Sequence, residues 1–345
     1  MKPSQLIRAI TWAIQHGFSY LIVGEPGIGK TDIVHQASQL AKAIMLVMHP
    51  AVSDPTDVKG MPFARVNAGG ETEAFFIPFA QLKQLMETTV LLVCFIDDLG
   101  QAPASVQAAF MQLILARELN GQKISDKVVF MAASNRKGDK AGVTGVLEPV
   151  KSRFDAIIPL EADVDDWVQW AINKGNMPSE LIAFIRWRGI NLLNNFQPTK
   201  DLVNSPSPRT VSHVGKMQAA KNADGTIGMP KGLESELIKG AAGAAFASEY
   251  IAFLKLYKHL PSIDKIIMTG KGDVPTDPAI LYALGSILAE KMTPTNCDNI
   301  FHYMESIPDE NVAAIVKDAT IRNEKLTDTK PYLNWATKHG NLLFN

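Results

Sequence analysis

The sequence predicts an α/β fold, a mostly parallel sheet with helices on both faces, followed by a purely helical region. Three observations carry this. Short apolar runs of strand length alternate with amphipathic helical patterns through residues 1–160. A glycine-rich loop joins the first such strand directly to the helix after it. After Glu161 the strand signal ceases and helical periods take over.

Residues 4–16 carry a helical apolar period (Leu6, Ile10, Ala13, Ile14), which Gly17 can end. Residues 19–23 form a short apolar strand, residues 31–42 a helix and residues 44–48 a second buried strand. Asp54-Pro55-Thr56-Asp57 is a turn cluster. Two extended runs, 61–66 and 73–77, flank Asn67-Ala68-Gly69-Gly70 and predict a hairpin. A helix at 79–86 precedes the strongest buried-strand signal, residues 90–96. Residues 104–116 are helical, 118–124 predict a second hairpin around Asn120-Gly121, and 128–133 a further strand. A polar, Gly-rich loop covers 135–145, a basic pair lies within 149–154, and 156–160 is the last strand. The helical remainder is broken by Asn204-Ser205-Pro206-Ser207-Pro208 and by the segment 269–275.

A chain of 345 residues is too long for one comfortable core, so several domains are expected. A 46% hydrophobic and 20% charged composition belongs to a soluble globular protein, and no apolar run approaches the roughly 20 residues of a spanning helix. The net charge of -1 gives no basic excess of the kind a dedicated nucleic-acid binder shows. Cys94 and Cys297 are the only cysteines, and Cys94 lies in a buried strand, which suits a reducing compartment. With no signal-peptide pattern at the N-terminus, the cytoplasm is the expected location. The seven histidines are scattered, so no zinc site is expected. Asp163, Asp165 and Asp166 suit a helix cap better than a metal, and Trp167, Trp170 and Trp187 suit a core. Arg186-Trp187-Arg188 is a weak hint of nucleic acid and a better fit to a partly solvated helix.

The chemistry concentrates in Gly24-Glu25-Pro26-Gly27-Ile28-Gly29-Lys30-Thr31, which has the spacing G-x-x-x-x-G-K-[ST]. The glycines let the backbone turn tightly and aim N–H groups at phosphate oxygens. Pro26 stiffens the turn, and the following helix adds its positive end. Lys30 reaches the β and γ phosphates, and Thr31 offers a hydroxyl to Mg²⁺. The second metal anchor is expected at Asp97, where the most apolar strand emerges at the carboxyl edge of the sheet, with Asp98 placed to polarise an attacking water. ATP and Mg²⁺ are therefore the expected ligands.

Together these residues resemble the AAA+ ATPases, in an order of parts similar to the MoxR-like branch, from about residue 4 to residue 214. The resemblance implies a P-loop NTPase (AAA+) core at 1–160, a helical lid at 161–268 and an additional C-terminal helical segment at 269–345. It makes the glycine loop Walker A and residues 95–98 Walker B. Asn135 stands where the family carries sensor 1 and orients water near the γ phosphate. Arg153, in Glu148-Pro149-Val150-Lys151-Ser152-Arg153-Phe154, stands where it carries the arginine finger. Arg209, in Ser207-Pro208-Arg209-Thr210, stands at sensor 2 on the lid. Pairing of Arg153 with Asp155, and a capping or salt-bridging role for Arg209, are the competing readings. The two hairpins sit where relatives carry elements facing a pore or partner, and either can equally be an ordinary surface hairpin.

One position departs from the family. Asp98 stands where Glu is usual, and its carboxylate is one methylene shorter. A misplacement of about 1 Å can cost about a hundredfold in rate, so a slow Mg-dependent ATPase is expected. The resemblance also implies a homo-oligomeric ring, a hexamer by family habit. It implies remodelling or chaperoning of a protein partner, a von Willebrand factor A domain protein among the candidates. A nucleic-acid motor of the clamp-loader or helicase kind, or a slow nucleotide-gated scaffold, are the alternatives, and no membrane partner is expected.

Overall fold

The computed structural model describes residues 1–119, 121–139, 145–257, 260–340 and 342. The chain divides into two compact units, Met1–Glu161 and Ala162–Asn345.

Among the described residues the first unit holds nine strands: β1 Tyr20–Val23, β2 Ile44–Met48, β3 Met61–Val66, β4 Thr72–Ile77, β5 Leu92–Ile96, β6 Glu118–Leu119, β7 Gln122–Lys123, β8 Val128–Ser134 and β9 Ala156–Pro159. Five of them form one parallel sheet in the order β2-β5-β8-β1-β9. The central strands β5 and β8 are buried throughout, as a parallel sheet covered on both faces requires. Leu92, Cys94 and Ile96 pack with Phe110, Leu113 and Phe130 on one side. The alternating Val93 and Phe95 are equally buried and point the other way. Burial pushes the Cys94 thiol up to about 12, so it stays protonated and inert. Among the described residues both cysteines are free.

The helices follow their sequence signals. Pro3–His16 buries Leu6, Ile10, Ala13 and Ile14 and ends at Gly17 in the left-handed conformation, φ 78°. Lys30–Leu40 begins one residue earlier than its apolar period, because Gly29 at φ 99° turns the phosphate loop straight into the helix. Ala104–Ala116 fills the sheet face with Val106, Phe110 and Leu113. The pairs β3–β4 and β6–β7 are antiparallel hairpins. Asn67 shapes the first turn, its side-chain oxygen accepting from the Gly69 and Glu71 amides at 3.0 Å each. Asn120 of the second lies outside the described residues, as do 140–144 of the Gly-rich loop.

Among its described residues the second unit is helical, with two apolar clusters. One gathers Trp167, Leu181, Phe184, Val211, Phe246 and Phe253, and the other Ile266, Leu284, Leu288, Ile300 and Val316. The helix Pro278–Lys291 serves both, giving Ala279 and Ala283 to the first and Leu281, Leu284 and Leu288 to the second. Asp163 caps its helix through the Asp166 amide at 3.0 Å. The Arg186-Trp187-Arg188 triplet is engaged internally: Arg186 pairs with Asp165 and, at 2.5 Å, with Asp318. Arg188 pairs with Glu249 at 2.5 Å, and Trp187 stacks on Phe253. Among the described residues no helix is long and apolar enough to cross a membrane.

The Arg186–Asp318 pair generates a stability prediction. Burial raises the Asp318 carboxyl by more than the facing Arg186 lowers it, so removing either partner strands a buried polar group. Asp318→Ala is expected to cost about 3–5 kcal/mol in urea unfolding, while replacing both partners with leucine costs clearly less.

Candidate functional site

Three neighbouring strands build the site. Val23 of β1 is in register with Ser134 of β8, and Ile96 of β5 with Ala132 of β8. The carboxyl ends of all three therefore open onto one edge, the place where open α/β sheets bind ligands. The glycine loop leaves β1 there, Asp97 and Asp98 leave β5, and Asn135 leaves β8.

Lys30 is the centre of this cluster. It is only 7% exposed, so its ammonium must find acceptors. It donates to Gly24 O and Glu25 O at 3.0 Å each, and to Asn135 Oδ1 at 2.6 Å. The Asn135 amide nitrogen donates to Asp98 Oδ1 at 3.3 Å. One amide thus offers its oxygen to a cation and its nitrogen to an anion, the only orientation that suits both. Beside it, Thr31 Oγ1 donates to Asp97 Oδ2 at 2.8 Å. A hydroxyl and a carboxylate held together are hard oxygen donors of the kind Mg²⁺ prefers. With the helix Lys30–Leu40 directly behind, the residues fit an Mg-bound polyphosphate.

The glycines meet steric requirements. Gly27 and Gly29 have φ of 77° and 99°, and a Cβ on Gly24 would approach Leu160 O to 3.2 Å. Asp98 also has a positive φ, 54°, although it carries a side chain. Short Asp tolerates that conformation better than most residues, because its carboxylate can bond locally.

Arg153 follows the short helix Glu148–Lys151. Its Nη1 donates to Ser152 Oγ at 3.2 Å, and its buried Nε has no partner among the described residues. The competing pairing with Asp155 is not formed: that carboxylate instead accepts from the Ser19 amide at 2.6 Å. Arg209 lies in the second unit, exposed in the first turn of Pro208–Gln218, whose cap is Ser207 bonded to Thr210. The capping role belongs to Ser207, and among the described residues Arg209 has no acidic partner.

Two contributors were not anticipated from the sequence. Arg136 reaches from the residue after Asn135 to the carboxylate of Glu25, and its Nε donates to Asp139 Oδ1 at 3.2 Å. Partial burial opposes its charge, and Asp139 with Glu25 outweighs that, leaving the pKa raised. The i, i+3 spacing of Arg136 and Asp139 was visible, but the contact with Glu25 needs the pairing of β1 with β8. The second is Gln107, buried, which donates to Ala102 O and Gly145 O and accepts from the Leu147 amide at 3.0 Å. It anchors the approach to the Arg153 segment, and an isolated glutamine in a helix gives no signal of that.

Residues 20–162 match the family model AAA, described as the ATPase family associated with various cellular activities. No curated protein matches the chain in sequence. Among solved structures, NtrX from Brucella abortus in complex with ADP is similar at 9% identity, covering 98% of this chain and 68% of that one, with a TM-score of 0.41. The Thermotoga maritima RuvB Holliday junction branch migration motor is similar at 15% identity, covering 98% of this chain and 86% of that one, with a TM-score of 0.35. The matched segment coincides with the α/β unit that carries the five-stranded parallel sheet, and it contains the whole cluster around Lys30.

The metal pair is open to a direct test. ATP is expected to raise the melting temperature more with Mg²⁺ than with EDTA. Asp97→Ala should abolish that difference, and Lys30→Ala should abolish the shift in both conditions.

Proposed function

We propose that this AAA ATPase domain binds ATP and Mg²⁺ through the loop 24–31 and Asp97, and hydrolyses ATP slowly to drive the remodelling of a protein partner. The observation that carries the reading is the buried Lys30 ammonium, held by loop carbonyls and Asn135 beside the Thr31–Asp97 pair. Bound Mg²⁺ would supply charge neutralisation on the phosphate oxygens, with Thr31 and Asp97 as its protein-side anchors.

In this reading Lys30 exchanges an acceptor inside the pocket for phosphate oxygens. Asn135, released from Lys30, turns its amide toward the γ phosphate and the attacking water. Asp98 polarises that water. Its left-handed backbone gives a local reason for the departure from glutamate, since the shorter side chain suits a positive φ. The same shortness supports a modest rate.

Arg153 completes the site of a neighbouring subunit. Its partly buried guanidinium, lacking an acidic partner in its own chain among the described residues, favours a group meant for a ligand outside that chain. This requires a homo-oligomer, which we take to be a ring, a hexamer by family habit. Arg209 is assigned the sensor 2 role on the resemblance of Ser207-Pro208-Arg209-Thr210 alone. The hairpin β3–β4 exposes Met61, Phe63 and Val66, and we assign it to the protein partner, in keeping with a MoxR-like role and a von Willebrand factor A domain protein as the first candidate. The internal ion pairs of Arg186 and Arg188 weigh against the nucleic-acid motor.

Asp98→Asn is expected to lower steady-state phosphate release about a hundredfold while ATP still binds. Unchanged turnover would remove Asp98 from the reaction. Mixing Arg153→Ala with Lys30→Ala chains should restore activity that neither has alone, and no recovery in mixed oligomers would place Arg153 outside the neighbour's site. The Asp98→Asn form loaded with ATP should retain a protein partner in a pull-down. Stimulation of turnover by DNA, with a steep salt dependence, would instead favour the nucleic-acid reading.

A further inference from the structure

Glu25 poses an electrostatic problem. It is the second residue of the phosphate loop, so a carboxylate stands at the mouth of a pocket that receives a polyanion. Its backbone oxygen is already turned inward to Lys30 Nζ at 3.0 Å. Like charges this close repel, and partial burial weakens the screening. Arg136 answers the problem from the turn after the neighbouring strand β8 by pairing with the Glu25 carboxylate.

Arg136 is itself held in place. Its Nε donates to Asp139 Oδ1 at 3.2 Å, and its backbone amide donates to Asp139 Oδ2 at 3.0 Å. The Asp139 amide returns a bond to Arg136 O at 3.0 Å, closing a tight turn. Asp139 is 8% exposed, so the anchor is firm while the guanidinium, with 45% of the side chain exposed, remains at the mouth of the site. The three groups bind the segment that carries Asn135 to the tip of the phosphate loop.

We propose that Arg136 is a positioning residue for nucleotide binding: anchored by Asp139, it neutralises Glu25 and so admits the phosphates of a nucleoside triphosphate to the loop. The inference rests on the phosphate loop being the nucleotide site. It makes a prediction that a merely structural arginine does not: the damage done by losing Arg136 is repaired by also losing the charge of Glu25.

The test is titration calorimetry with MgATP on the full chain. Arg136→Ala is expected to raise Kd about tenfold at low salt, a modest figure because both groups are partly exposed. The deficit shrinks toward 1 M salt, where the screening length is about 3 Å. Arg136→Lys binds more tightly than Arg136→Ala, and Glu25→Gln combined with Arg136→Ala recovers most of the loss. Arg136→Gln, which keeps donors for Asp139, repeats the experiment if the alanine form fails to fold. Parent-like binding by both Arg136→Ala and Arg136→Gln, or a double variant as weak as Arg136→Ala, overturns the proposal. Lys30→Ala separates the two failures: if it binds MgATP like the parent, the phosphate-loop reading falls and this inference with it.

Discussion

The proposed nucleotide pocket depends on one constraint, a buried ammonium that cannot be left without acceptors. Lys30 satisfies it with two carbonyls of its own loop and the amide oxygen of Asn135. An uncompensated ammonium at 7% exposure would cost several kcal/mol. The loop must therefore curl back on its own lysine, and β8 must stand beside β1. Because Asn135 also bonds Asp98, the lysine, the polar strand-end residue and the second aspartate form one connected network. Displacing one member changes the partners open to the others.

The sheet order makes this network possible. The chain inserts β5 and β8 between β2 and β1, which brings residues about 70 and 105 positions from the loop to its side. The buried strands fix where the acids emerge, and the short turns after them decide where the side chains point. Asp98, bent into a left-handed conformation just past the strand, is the residue on which backbone and chemistry bear most directly. The conformation favours aspartate, and the aspartate in turn limits the reach of the carboxylate.

Most of the first unit was legible in the sequence because its signals are local. Ile44–Met48, Met61–Val66 and Ala104–Ala116 have the bounds their apolar periods give. The phosphate loop is contiguous and its glycines have steric reasons, so it could be read without a fold. Asp97 could be singled out because it follows a run too apolar to be anything but a buried strand, and Asn135 because its segment resembles the sensor 1 strand. What could not be read depends on strand neighbours. The contact of Arg136 with Glu25 joins residues 111 positions apart, and Gln107 ties a helix to a loop 38 positions on. The internal partners of Arg186 and Arg188 were hidden for the same reason, since Asp318 and Glu249 lie far along the chain. A charge pattern in sequence does not show whether its counter-charge is solvent, ligand or another helix.

In the proposed mechanism Lys30 is held by substitutes for phosphate and exchanges one of them when nucleotide arrives. A crystal structure of the chain with Mg²⁺ and a non-hydrolysable ATP analogue tests it most directly. The expected result is Lys30 Nζ on the β and γ phosphate oxygens, its bond to Asn135 Oδ1 broken, and the metal bound by Thr31 with Asp97 on its coordination sphere. A nucleotide bound elsewhere, or one in the loop with the Lys30–Asn135 bond intact, would contradict it.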